Sequence, residues 1–114
     1  MVDIDNTICK TTDKDYHNSV PYMDRIKRLN NLYDDGHEIH YWTARGSSSG
    51  IDWLEHTTKQ LESWGCMYHS IKVGKPSYDV WIDDKAINSE DFFRNKTALE
   101  QVWEYWDRHH GDKV

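Results

Sequence analysis

A chain of 114 residues has room for one hydrophobic core, so residues 1–114 read as a single domain. Its formal charge of −6, from 20 acidic and 14 basic residues, opposes nonspecific adhesion to DNA or RNA, which relies on neutralising phosphates. No apolar run approaches the ~20 residues that cross a bilayer, and there is no signal-peptide core, so the expectation is a cytoplasmic protein without a membrane partner.

Residues 2–8, "VDIDNTI", predict a short strand that ends in a polar loop, and residues 10–20 lack periodicity and predict a loop. Pro21 suits a first helical turn; Tyr22, Ile26, Leu29 and Tyr33, with Met23 and Leu32 beside them, repeat at helical spacing as far as the stop at Gly36. Residues 37–44, "HEIHYWTA", predict the next strand, followed by the loop "RGSSSG". Residues 51–65 set Leu54, Thr57, Leu61 and Trp64 on one helical face and stop at Gly65. "MYHSIKVG" and "YDVWIDD" predict two more strands, and a last helix is expected over Thr97–His109. The order β-α-β-α-β-β-α implies an α/β domain, a Rossmann-like three-layer sandwich with a mainly parallel sheet. Cys9 and Cys66 match no metal spacing and predict buried, reduced thiols; none of the seven His has zinc-ligand spacing either.

In such folds the ligand crevice lies beyond the carboxyl ends of the strands. Asp3 and Asp5 follow the first strand, Thr43 and Arg45 end the second, Lys75 precedes the last, and Asp83 and Asp84 end it. All are expected at one rim of the sheet. Side chains two apart on a strand share a face, so Asp3 and Asp5 would repel unless a cation or a polar turn separated them. Each residue alone has a plainer reading: Asp83 and Asp84 as a helix N-cap before "KAINSEDFF", Lys75 as a loop lysine, Thr43 as an ordinary strand end. Arg45 either holds a second substrate anion or pairs with an acidic neighbour.

Taken in order, "DIDNT", "YWTARG", "GKP" and "WIDD" resemble the four motifs of the haloacid dehalogenase-like hydrolase superfamily, the aspartate-nucleophile phosphatases. The resemblance covers residues 3–84. The wording "TARG", "GKP" and "IDDKAIN" is also similar to small phosphatase-like proteins found beside capsular polysaccharide genes and in phages. The likeness implies a minimal superfamily core in which Asp3 is the nucleophile and Asp5 the general acid and base. It implies Mg²⁺ held by Asp3, the backbone carbonyl of Asp5, Asp83 and Asp84, directly or through water. Thr43 and Lys75 would meet the transferring phosphoryl group, and Asn6, Thr7 and Arg45 would bind substrate. A cation is chemically apt, because a carboxylate and a phosphate monoester are both anionic.

The pattern departs from the superfamily in three places. Asn6 stands where Gly is usual, and Asn is the residue that best tolerates a left-handed backbone after Gly. Only Met1 and Val2 precede Asp3, so the first strand is stunted or starts upstream. The span from Lys75 to Asp83 leaves no room for a helix that many relatives place there.

Neither the gap from Thr7 to Thr43 nor that from Thr43 to Lys75 holds a cap domain, and residues 10–20 amount at most to a flap. An open site leaves room for closure by a second subunit in a homo-oligomer. A small phosphorylated substrate, a sugar phosphate above all, is the expectation. The rivals are a nucleotide or polynucleotide-end phosphatase, a phosphotransferase of the same fold, and a catalytically idle binding domain.

Overall fold

The computed structural model describes residues 1–94, in the order β1 (Val2–Asp3), β2 (Cys9–Lys10), a short 3-10 helix (Tyr16–Asn18), β3 (Val20–Pro21), α1 (Met23–Asp34), β4 (His40–Trp42), α2 (Leu54–Ser63), β5 (Ser70–Lys72) and α3 (Ser89–Phe92). β1, β4 and β5 form a parallel sheet in that order, with Val2 opposite Tyr41 and Tyr41 opposite Ile71. Helices α1 and α2 are the crossovers between successive strands, as parallel pairing requires. β2 and β3 pair separately as an antiparallel hairpin, Cys9 opposite Pro21. The whole is a small α/β arrangement of mixed strand direction. The helix predicted over Thr97–His109, with the two tail histidines His109 and His110, lies outside the described residues.

Both long helices end as their sequences anticipate. Gly36, at φ +97°, receives the chain after α1, and the His37 N–H returns to the Leu32 carbonyl at 3.0 Å. At the end of α2 the Cys66 N–H does the same to Leu61, also at 3.0 Å. These bonds satisfy carbonyls that a helix end leaves orphaned. Asn30 of α1 then ties that helix to the exit of α2: its amide donates to the Gly65 carbonyl at 2.9 Å and accepts the Met67 N–H at 2.8 Å.

The core is aliphatic with one ring at its centre. Ile26, Leu29 and Leu32 of α1, Leu61 of α2, Ile4, Ile8, Ile39 and Tyr41 are buried. Cys9 and Cys66 are buried free thiols, as expected; burial raises the Cys66 thiol to about 11. Met23 differs from its place beside the predicted stripe and stands 53% exposed, because it opens α1 on the outer side of the first turn. Pro21 also differs: it pairs with Cys9 in the hairpin instead of entering the helix. That pairing is open to proline at a sheet edge, where no ladder N–H is demanded of it.

Two compact units divide the chain, Met1–Tyr78 and a second from Asp79 onward. Residues 78–84 do not form the predicted strand. Val80 and Ile82, whose alternation suggested it, are 73% and 92% exposed. The Asp83 carboxylate instead accepts the Lys85 N–H at 2.8 Å and the Trp81 indole N–H at 3.4 Å, folding the chain into a turn. Alternation supplies a face, but a strand also needs a neighbour to complete its ladder. Asn88 caps α3 by accepting the Glu90 N–H at 2.9 Å.

Leu61 is wholly buried on the face of α2 that meets the sheet. Leu61→Ala is expected to lower unfolding free energy by about 2–5 kcal/mol, read from the urea midpoint at unchanged slope.

Candidate active site

The carboxyl ends of β1, β4 and β5 open onto a cleft of about 440 Å³ whose walls include Asp3, Asp5, Asn6, Arg45 and Lys75. Asp3 closes β1, Arg45 lies just beyond β4, and Lys75 just beyond β5. The parallel topology therefore gathers, from three distant stretches, most of the residues singled out in the sequence.

A tight turn carries Asp5 back beside Asp3. The Ile4 carbonyl accepts the N–H groups of Thr7 and Ile8 at 3.1 and 3.0 Å, and Asn6 turns left-handed at φ +59°. The Asn6 N–H reaches the Cys9 carbonyl at 2.7 Å, while its side-chain oxygen accepts the Thr11 N–H at 3.2 Å. Asparagine thus stands at a position that adopts positive φ, as its place in the sequence suggests.

Asp3 is held from both sides. Thr7 Oγ1 donates to its Oδ2 at 3.3 Å, and Lys75 Nζ lies 3.3 Å from its Oδ1. The Lys75 side chain is only 12% exposed, so this pair is shielded from solvent far more than a surface ion pair. Thr7 is therefore a donor to Asp3 and is absent from the walls of the cleft.

Asp5 meets a cation held on every side, Arg45. Arg45 Nε approaches its Oδ2 at 3.0 Å and NH2 approaches its Oδ1 at 2.8 Å, a two-pronged pair. The Arg45 side chain is 0% exposed and that of Asp5 22%. Of the two roles left open for Arg45, the geometry shows the acidic neighbour. Thr11 adds a third donor, its Oγ1 bonding Asp5 Oδ1 at 2.6 Å. Thr43 is buried behind this pair and does not line the cleft. Its Oγ1 accepts the Arg45 N–H at 3.1 Å and its carbonyl accepts the Lys75 N–H at 3.1 Å, so it links the loops that carry both cations.

Three further residues have no signal in the motifs. Gln60 and Thr57 of α2 accept the other arm of Arg45 at 2.7 and 3.3 Å, and the Tyr16 ring covers its guanidinium at 4.8 Å. Thr57 falls on the predicted inner face of α2, where a buried hydroxyl needs a partner; that need was the one available clue.

Cys9 Sγ lies 3.8 Å from Asp5 Oδ1, and burial pushes its thiol up, which disfavours the thiolate. Asp83 and Asp84 belong to the second unit. The Lys85 backbone N–H, then the Trp81 indole, hold the Asp83 carboxyl below the usual carboxylate range. Among the described residues no three His, Cys, Asp or Glu side chains gather as a metal cluster. The hard oxygens of Asp3 and Asp5 nonetheless suit Mg²⁺, which one or two carboxylates commonly hold while water and substrate phosphate complete the shell.

The chain is similar to a crystal structure of a structural-genomics target from Vibrio cholerae, with 30% identity, a TM-score of 0.78 and coverage of 95% of both chains. Scans of protein-family models and of curated proteins give no match. Among the described residues no helix is long and apolar enough to cross a membrane.

Gly46, at φ +84°, sits directly after Arg45, and a Cβ there would overlap the Ile51 carbonyl oxygen. Gly46→Ala is expected to cost about 1–3 kcal/mol in chemical denaturation, since the backbone must shift as well as adopt a strained angle.

Proposed function

We propose that this chain, which belongs to the same family as the Vibrio cholerae protein, is a magnesium-dependent phosphomonoester hydrolase of the haloacid dehalogenase type. The observation that carries this reading is the pairing in one cleft: Asp3 against Lys75, and Asp5 against Arg45. Two carboxylates on one turn, each with its own cation, can take different roles in one reaction.

An Asp3 oxygen attacks phosphorus, and the bond from phosphorus to the leaving oxygen breaks. In the general-acid role, Asp5 passes a proton to the leaving oxygen. Water then loses a proton to Asp5 and attacks the aspartyl-phosphate; the bond from phosphorus to Asp3 breaks, releasing phosphate and restoring the Asp3 carboxylate. Thr7 and Lys75 aim Asp3, and Lys75 adds positive charge where equatorial oxygens gather electron density. Arg45 and Thr11 hold Asp5 in an accepting arrangement that serves the water-activating half. When bound, Mg²⁺ would screen the two anions and grip a phosphate oxygen, with Asp3 and the Asp5 backbone carbonyl as donors. The motif resemblance assigns Asp83 and Asp84 to the same ion.

A cleft of about 440 Å³ falls within the range of sites for small molecules, and Tyr78 on its wall offers a flat apolar face beside a polar tip. Both features favour a small phosphorylated metabolite such as a sugar phosphate; a cytoplasmic setting belongs to the same proposal. The net charge of −6 weighs against a polynucleotide end.

Hydrolysis of p-nitrophenyl phosphate with Mg²⁺ tests the reading. Asp3→Asn is expected to abolish turnover, and a chelator to do so reversibly. Lys75→Met should reduce kcat by about 10²–10³-fold. Asp83→Asn should raise the Mg²⁺ concentration giving half-maximal rate. Equal rates for Asp3→Asn and the parent would remove Asp3 as the nucleophile.

A further inference from the structure

Residues 11–19, between β2 and β3, form a flap whose seating is tied to Asp5 by two routes. Thr11, at one end, bonds Asp5 directly, and its hydroxyl also meets Ser19 Oγ across the hairpin at 2.6 Å. Tyr16, in the middle, is bound through α2. Gln60 Nε2 donates to the Tyr16 carbonyl at 2.8 Å, while Gln60 Oε1 accepts from Arg45 NH1 at 2.7 Å. One amide therefore satisfies the flap backbone with its nitrogen and the buried guanidinium with its oxygen. The circuit runs from Asp5 to Arg45, Gln60, Tyr16, along the flap to Thr11, and back to Asp5.

A side chain that merely filled space would not need both ends of its amide. All three guanidinium nitrogens are engaged: two on Asp5, the third on Thr57 and Gln60, with the face under Tyr16. Loss of the Gln60 acceptor leaves a buried N–H short of a partner, which drives Arg45 to re-orient and Asp5 with it. Loss of the Gln60 donor frees the Tyr16 carbonyl, and with it the ring that lids Arg45. Lys14 and Tyr16 of the flap also line the cleft, so a substrate seated there presses on one side of the circuit.

The geometry points to Gln60 as a positioning residue that, through Arg45, sets the orientation of Asp5 in register with the flap. This rests on the hydrolase reading for its catalytic consequence and on hydrogen bonds alone for the coupling. Gln60 is only half-buried, so its replacement spares the core.

The test uses Gln60→Met, which keeps length and loses both arms, and Gln60→Glu, which keeps an acceptor and loses the donor. Hydrogen exchange by mass spectrometry reads the flap without reference to activity. Peptides spanning 11–19 should exchange about fivefold faster or more in both variants, with α1 unchanged. In parallel, kcat for p-nitrophenyl phosphate should fall about 10–100-fold in Gln60→Met with KM within about twofold, since misaimed proton transfer costs turnover more than binding. Unchanged flap exchange in both variants overturns the coupling. Unchanged kcat in Gln60→Met, with Asp3→Asn inactive, overturns the positioning role. An active Asp3→Asn removes the Asp3-nucleophile mechanism instead, and flap exchange still decides the coupling.

Discussion

A guanidinium with no solvent exposure must find its hydration shell in the protein, and the arrangement around Arg45 is that shell. Removing a charge from water costs several kcal/mol even after relaxation, so its donors need acceptors of good geometry. Asp5, Thr57 and Gln60 supply them, and Tyr16 covers the face. Because these residues come from the β1 turn, α2 and the flap, meeting the needs of one side chain fixes three segments relative to the sheet.

The second cation has a lighter task. Lys75 keeps some exposure and reaches Asp3 through a single ammonium, a point charge on a flexible stem. The contrast suits the proposed chemistry. Arginine cannot surrender its proton and grips a carboxylate by two prongs, which serves a group that must keep one orientation through both halves of a cycle. A lysine ammonium can shift by a few tenths of an ångström as charge moves from Asp3 to phosphoryl oxygens. Thr43, out of reach of the cleft, joins the two loops by its hydroxyl and its carbonyl, so each cation is placed partly by reference to the other.

Much of this was legible in the residues. The rim position of Asp3, Asp5, Arg45 and Lys75 follows from strand order alone, because parallel strands joined by helices put their carboxyl ends on one side. Gly36, Gly65 and Asn6 announce their backbone geometry by residue type. What was hidden has physical reasons. A two-residue strand has no period, so Lys10 and Val20 of the hairpin looked like unstructured loop and Pro21 like a first helical turn. The partner of Arg45 lies 40 positions away, and side-chain reach leaves no trace in spacing. Gln60 sits among the polar residues of an amphipathic helix, where nothing separates a structural amide from a solvated one. The segment 78–84 was over-read for the opposite reason: its alternation is real, but it says nothing about whether a partner strand is at hand.

β1 contributes only Val2 and Asp3 to the sheet, paired along one side with Tyr41 and Trp42. So short a ladder gives Asp3 little cooperative backing, and its place depends heavily on Thr7 and Lys75. On warming, this margin would fray while the helices and the β4–β5 pair still hold. On the proposed reading, turnover would then be lost ahead of melting, and recovery on cooling would be quick, since only a few residues need to re-anneal.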